Sequence, residues 1–187
     1  MIIGVVGTNA AGKDTAAQYL AEKLGWPVFS MSDELREIAR SRGLTTERTT
    51  LQKLGNELRE KYGGDYISKL ILKKYSDDFI ISSIRNPQEI EPLKYSERFV
   101  LLMIDADPKI RYERAKTRMR SIEDSQTFEE FIKAERYELE GSGHELCLKP
   151  VFEAADVIIS NDGTRGELLG KLNEFMEEVK NEQVELG

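Results

Sequence analysis

The sequence predicts an α/β fold, a three-layer sandwich in which a five-stranded parallel sheet lies between helices. Three observations carry this expectation. Five short apolar runs, residues 2–6, 28–30, 79–83, 99–104 and 156–160, read as strands. Three of them are β-branched and apolar on successive residues, as parallel strands buried on both faces require. Helical patterns fill the intervals, and alternation of strand and helix implies parallel pairing through right-handed crossovers.

Each helical interval has its own signal. Ala16, Ala17, Leu20 and Leu24 recur at helical spacing over 13–24, after the first strand. Leu35, Ile38 and Ala39 share one face over 32–42, with Ser32 or Asp33 placed to cap it. Leu51, Leu54 and Leu58 mark another helix, closed by Gly63-Gly64. Asp107-Pro108 is a capping residue followed by proline at the first helical position. Thr127 with Glu130, and Thr164 with Glu167, have capping-box spacing. Leu168, Leu169, Leu172, Phe175, Met176 and Val179 give the helix over 164–180 a packing face. The polar stretch from about 119 to 145, with Gly141-Ser142-Gly143 near its end, interrupts the alternation and reads as a lid inserted into a single domain spanning 1–187.

Composition narrows the function classes. The chain has 187 residues, 40% hydrophobic and 33% charged, with a net charge of -7. That composition excludes wholesale disorder. The acidic balance is wrong for coating a nucleic acid polymer or an anionic membrane. The N-terminus lacks the basic start and longer apolar run of a signal peptide, and no run reaches the roughly 20 apolar residues of a membrane span. With Cys147 as its one cysteine, the chain suits a reducing cytoplasm. His144 and Cys147 alone do not make a zinc site.

The sharpest motif is Gly7-Thr8-Asn9-Ala10-Ala11-Gly12-Lys13-Asp14-Thr15. It follows a strand and opens a helix, the context a phosphate-binding loop needs. Small residues let the backbone curl its N–H groups toward phosphate oxygens, the helix N-terminus adds positive charge, and Lys13 reaches the terminal phosphates. Asn9, Ala10, Ala11, Gly12, Lys13, Asp14 and Thr15 are therefore candidate ATP-binding residues. Asp14 stands where Ser or Thr is usual, and Thr15 can supply the hydroxyl for Mg²⁺ instead.

With this loop the chain resembles the P-loop nucleoside and deoxynucleoside monophosphate kinases, adenylate kinases among them. The Gly-Lys-Asp-Thr run looks like that of phage deoxynucleoside monophosphate kinases. Ser32-Asp33-Glu34-Leu35-Arg36 is similar to their Asp-x-Leu-Arg element. The resemblance implies that Arg36 holds the acceptor phosphate and that Asp33 lies near the metal's water shell. Ser82-Ser83-Ile84-Arg85-Asn86-Pro87-Gln88 stands where the family has Asp-Gly-x-Pro-Arg. It implies Arg85 on acceptor phosphate and Gln88 on the acceptor base, while Ser82-Ser83 departs from the family's acidic residue and leaves Asp33 as the best metal carboxylate.

Between 109 and 120, six basic residues face one acid, and between 121 and 140 seven acids face two bases. Arg114 and Arg118, four apart, share a helix face. By resemblance they stabilise the transferred phosphoryl group. An acidic helix docked on a basic one also accounts for both runs. Asp156-Val157-Ile158-Ile159-Ser160-Asn161-Asp162-Gly163 looks like the last strand and loop of dephospho-coenzyme A kinases, which implies Asn161 and Gly163 beside the donor adenine. The resemblance also implies strand order 2-3-1-4-5, and it extends to nucleotide-kinase-like domains of archaea. The expected activity is ATP- and Mg²⁺-dependent phosphorylation of a nucleoside or deoxynucleoside monophosphate, with dephospho-coenzyme A as alternative acceptor. A non-catalytic nucleotide-binding switch is the alternative of another class, though it would need no acceptor arginines.

Overall fold

The computed structural model describes residues 1–96, 98–118, 127–141 and 147–185. In chain order these form β1 Ile2–Gly7, α1 Lys13–Leu24, β2 Val28–Ser30, α2 Met31–Ser41, α3 Arg48–Tyr62, α4 Tyr66–Lys74 and β3 Phe79–Ser82. There follow α5 Pro87–Lys94, β4 Phe99–Asp105, α6 Pro108–Arg118, α7 Phe128–Glu140, α8 Leu148–Glu153, β5 Val157–Ser160 and α9 Arg165–Glu185. The strands form one sheet in the order β2-β3-β1-β4-β5. Every neighbouring pair is parallel.

Successive residues of a strand point to opposite faces, and here both faces are apolar. Ile2, Val6, Phe79, Ile81, Leu101 and Met103 pack on one side with α2, α3, α4, α5 and α8. Ile3, Val5, Ile80, Leu102, Ile104 and Ile159 pack on the other with α1 and α9. Consecutive apolar residues along β1, β3 and β4 follow directly from this double covering.

The element ends differ from expectation in instructive ways. The side chain of Ser30, not Ser32 or Asp33, caps α2, accepting from the Ser32 N–H at 3.2 Å. The third strand stops at Ser82 because Ser83 turns to φ 62°, where a sheet residue cannot sit. The fifth begins at Val157, and Asp156 instead holds the Leu101 N–H at 2.7 Å with its carboxylate. Thr127 and Thr164 cap their helices reciprocally with Glu130 and Glu167. α4, α5 and α8 had no sequence expectation.

Within the stretch read as a lid, α7 is described, while residues 119–126 and 142–146 lie outside the described residues. α7 docks on α6. Arg111 is 2% exposed, and its guanidinium donates to both carboxylate oxygens of Glu135 and, through Nε, to the Ala106 carbonyl at 2.8 Å. Tyr112 packs edge-on to Phe128 and against Phe131. An acidic helix on a basic one is thus realised at one buried pair. Removing one member of such a pair strands the other's charge. We expect Glu135→Ala to lower unfolding free energy by about 3 kcal/mol, measured by chemical denaturation. A loss below about 0.5 kcal/mol would show that Arg111 does not need this partner.

Candidate functional site

β1 is central in the sheet, so the chain leaving it at Gly7 emerges where ligands bind in open α/β folds. The loop between β1 and α1 is shaped by three backbone conditions. A Cβ on Gly7 would lie 2.2 Å from the Ile104 carbonyl oxygen. Ala10 takes φ 60°. Gly12 takes φ 102°, and a Cβ there would lie 2.4 Å from Asn161 Nδ2. That nitrogen donates to the Ala11 carbonyl at 2.7 Å, and Asn161 is buried. The last strand therefore fixes the first loop.

The same corner holds Arg114, whose guanidinium donates to the carbonyls of Asn161 at 2.8 Å and Gly163 at 3.1 Å. The structure brings Asn161, Gly163 and Arg114 together beside Ala11 and Gly12. Arg118 closes α6, and its side chain lies outside the description. Thr8 is buried and donates to Asp105, a carboxylate at the end of β4, at 3.3 Å. Lys13 Nζ lies 3.7 Å from the exposed Asp14 carboxylate. Thr15 is half-buried in the first turn of α1.

Among the described residues, two of the cavities meet on this face. The first, about 220 Å³, is lined by Gly7, Thr8, Asn9, Lys13 and, from α7, Phe131, Glu135 and Glu138. The second, about 300 Å³, lies among α2, α3 and α5 and is lined by Arg36, Arg48, Arg59, Arg85 and Glu89. Arg48, Ser83 and Arg85 line both. Ser83 holds its left-handed turn with its hydroxyl accepting from Ser30 at 3.2 Å. Glu138 pairs with Arg48 at 2.7 Å and Arg85 at 4.0 Å, so α7 sets a carboxylate where the two cavities meet.

Of the residues expected at the acceptor end, Arg36 and Arg85 line the second cavity. Asp33 is exposed and bound to Arg36 at 2.7 Å. The structure does not bring Gln88 to these walls. It is exposed, and its side chain lies over Gly64, where a Cβ would meet Oε1 at 1.7 Å. Sequence reasoning missed Arg48, Arg59 and Glu89. For Glu89 a signal was present in Asn86-Pro87-Gln88-Glu89, a capping box with proline at N1.

Glu89 and Arg59 are electrostatically linked. Burial raises the Glu89 pKa from its ordinary 4.5, opposed by the N–H groups of Arg85 and Asn86 and the charges of Arg59 and Arg85. Burial likewise lowers the Arg59 pKa, opposed by Glu89. Among the described residues no group of three or more His, Cys, Asp or Glu is gathered to hold a metal. No described helix is long and apolar enough to cross a membrane.

Fold and loop together define the class: a P-loop domain of the kinase-like kind. The chain matches the family model described as AAA domain over residues 6–130. It is 34% identical to a UPF0200 protein of Sulfurisphaera tokodaii over 95% of this chain and 97% of that one. It belongs to these families. It is also 34% identical to a UPF0200/UPF0201 protein of Archaeoglobus fulgidus over 99% of this chain, and it spans 58% of that protein's length. Among solved structures it is similar to a shikimate kinase from Bacteroides thetaiotaomicron, with TM-score 0.64, 15% identity and coverage of 96% of this chain and 98% of that one. A shikimate kinase from Acinetobacter baumannii in complex with shikimate gives TM-score 0.58 and 20% identity, over 96% of this chain and 94% of that one. These two likenesses are of fold.

The raised Glu89 pKa has a sign in stability. The folded protein holds this proton to higher pH than the unfolded chain. Its contribution is fully present below about 4.5 and is lost as pH rises through the native value. Glu89→Gln cannot titrate. The wild type should therefore lose stability relative to this variant as pH rises from 4 toward neutrality, measured by denaturation at each pH. A difference that stays flat would contradict the buried, ionising carboxylate.

Proposed function

We propose that this chain transfers the terminal phosphoryl group of ATP to a nucleoside monophosphate. The observation that carries this reading is the meeting of a phosphate-loop cavity and an arginine-lined cavity at Arg48, Ser83 and Arg85. A donor on one side and an anionic acceptor on the other would present their reacting phosphates at that junction.

In this reading the acceptor phosphate oxygen attacks the γ-phosphorus. The bond to the β-bridging oxygen breaks, and ADP leaves without a covalent enzyme intermediate. Lys13 and the N–H groups of residues 9–15 hold the donor phosphates, while Asn161 and Gly163 flank the adenine. Arg36 and Arg85 hold the acceptor phosphate. Arg114 and Arg118 answer the charge of the transferred group, and through its bonds to Asn161 and Gly163 Arg114 also shapes the donor loop. Catalysis is then positioning and electrostatic stabilisation. The segment 119–145 acts as a lid on the single domain. α7 already forms part of the first cavity's wall, and closure would keep water from competing as acceptor.

The residues present fit Mg²⁺. It takes phosphate oxygens, waters and one or two carboxylates and needs no dedicated cage. Thr15 would supply a hydroxyl, with Asp33 reached through water and Asp105 a further carboxylate near the loop. When bound, the ion draws off charge from the donor phosphates.

Lys13→Ala should lower kcat at least 100-fold with the fold intact by circular dichroism. Near-normal turnover would end the phosphate-loop reading. Arg85→Ala should raise the acceptor KM and lower kcat while ATP affinity changes little; an equal loss of ATP binding would move Arg85 to the donor side. An ATP-consumption screen over ribo- and deoxynucleoside monophosphates, dephospho-coenzyme A and shikimate identifies the acceptor. ATP binding with no consumption across the screen would favour a nucleotide-binding switch instead.

A further inference from the structure

Among the described residues three helices open on a capping box, and they differ in one respect. In α7 and α9 the glutamates Glu130 and Glu167 reach back to the N–H groups of Thr127 and Thr164 and stay exposed. In α5, Glu89 does the same for Asn86 but is only 4% exposed. Capping does not require burial, and burying a carboxylate is costly. The cap therefore does not explain why this glutamate is inside. Its Oε2 accepts from the Arg85 and Asn86 N–H groups at 2.9 and 3.3 Å. Its Oε1 takes none of the hydrogen bonds among the described residues. Glu89 lines the second cavity in company with Arg36, Arg48, Arg59 and Arg85. Among the described residues it is the one carboxylate that lines this cavity.

We propose that Glu89, with Arg59 on the same wall, determines which acceptor this site takes: the carboxylate accepts from N–H groups of the acceptor's base, and the guanidinium donates to a carbonyl beside them. This rests on the nucleoside monophosphate reading above. A carboxylate only accepts and a guanidinium only donates, so the matching edge offers donors next to an acceptor. Guanine presents N1–H and its 2-amino group beside O6. Adenine and cytosine offer the carboxylate only their exocyclic amino group and place a ring-nitrogen lone pair where guanine has N1–H, so their edge gives it one donor in place of two. Uracil has one N–H between two carbonyls, so one carbonyl meets the carboxylate unfavourably. The site is built for a guanine nucleotide. A pocket that hydrogen-bonds its substrate rejects an edge of the wrong polarity far more strongly than one that only packs against it.

The test is kcat/KM for GMP, IMP, AMP, CMP and UMP with ATP, in the wild-type chain and in the Glu89→Gln and Arg59→Gln variants. In Glu89→Gln the two backbone N–H groups hold the amide oxygen and leave the NH₂ for the cavity, so a donor replaces an acceptor. We expect the wild type to favour GMP over AMP by about 100-fold or more, with IMP between them. Glu89→Gln should reduce that ratio at least tenfold, partly by raising activity on AMP or CMP, and Arg59→Gln should reduce it too. Thermal unfolding of each variant checks the fold. A purely structural Glu89 would lower all five activities together and leave their ratios alone, and that result overturns the proposal. Wild-type preference for AMP, CMP or UMP overturns it as well while leaving the kinase reading standing. Failure to phosphorylate any of the five or their deoxy counterparts removes both.

Discussion

The central strand is buried on both faces and paired on both edges, and the site depends on that constraint. β1 has β3 on one side, β4 on the other, and apolar clusters above and below. A strand so enclosed can end only at the sheet's rim, and its last residue leaves little room. The Ile104 carbonyl sits against Gly7, which excludes any side chain there. The loop that follows is held to its curve from below by the C-terminal ends of β4 and β5, through Asp105 and Asn161. Sheet burial thus sets where the phosphate loop starts, and polar contacts at the strand ends set its course.

Electrostatics then divides the face. An acidic chain gathers Lys13 near one cavity and Arg36, Arg48, Arg59 and Arg85 around the next. α7 supplies carboxylates to this region in two settings. Glu135 satisfies a buried arginine and fixes the helix to α6. One turn on, Glu138 meets the half-exposed Arg85 and the more exposed Arg48, where solvent weakens the attraction. The first contact is structural; the second involves cations of the cleft and exchanges with other anions at lower cost.

What was legible in the sequence follows the range of the interactions involved. The five strands and the phosphate loop are local patterns, and they stand within a residue or so of where the sequence put them. The strand order came through resemblance, since no local signal carries it. α2 shows how a local reading goes astray: Ser30, Ser32 and Asp33 are all good caps, and β2 ending at Ser30 decides among them. α4 and α8 are short helices whose buried positions, Ile67 and Ile71 or Val151 and Phe152, are too few to show a period. The second cavity was least legible. Arg48 and Arg59 come from α3, which appeared only as a leucine pattern, and tertiary folding alone sets them opposite Arg85 and Glu89. Gln88 and Glu89 are adjacent, yet α5 turns one outward over Gly64 and the other inside.

The bond between Asn161 and Ala11 joins residues 150 positions apart. The loop between β1 and α1 leaves the ribosome well before its partner at the end of β5, and its motif is local. Until that strand adds to the edge of β4, the Ala11 carbonyl lacks its amide donor, and Arg114 lacks the two carbonyls it binds. Contacts of such long separation form late, after the cost of closing the intervening chain has been met. The nascent chain therefore carries the loop's sequence well before it carries the loop's fixed shape, and that shape reports the arrival of the C-terminal strand.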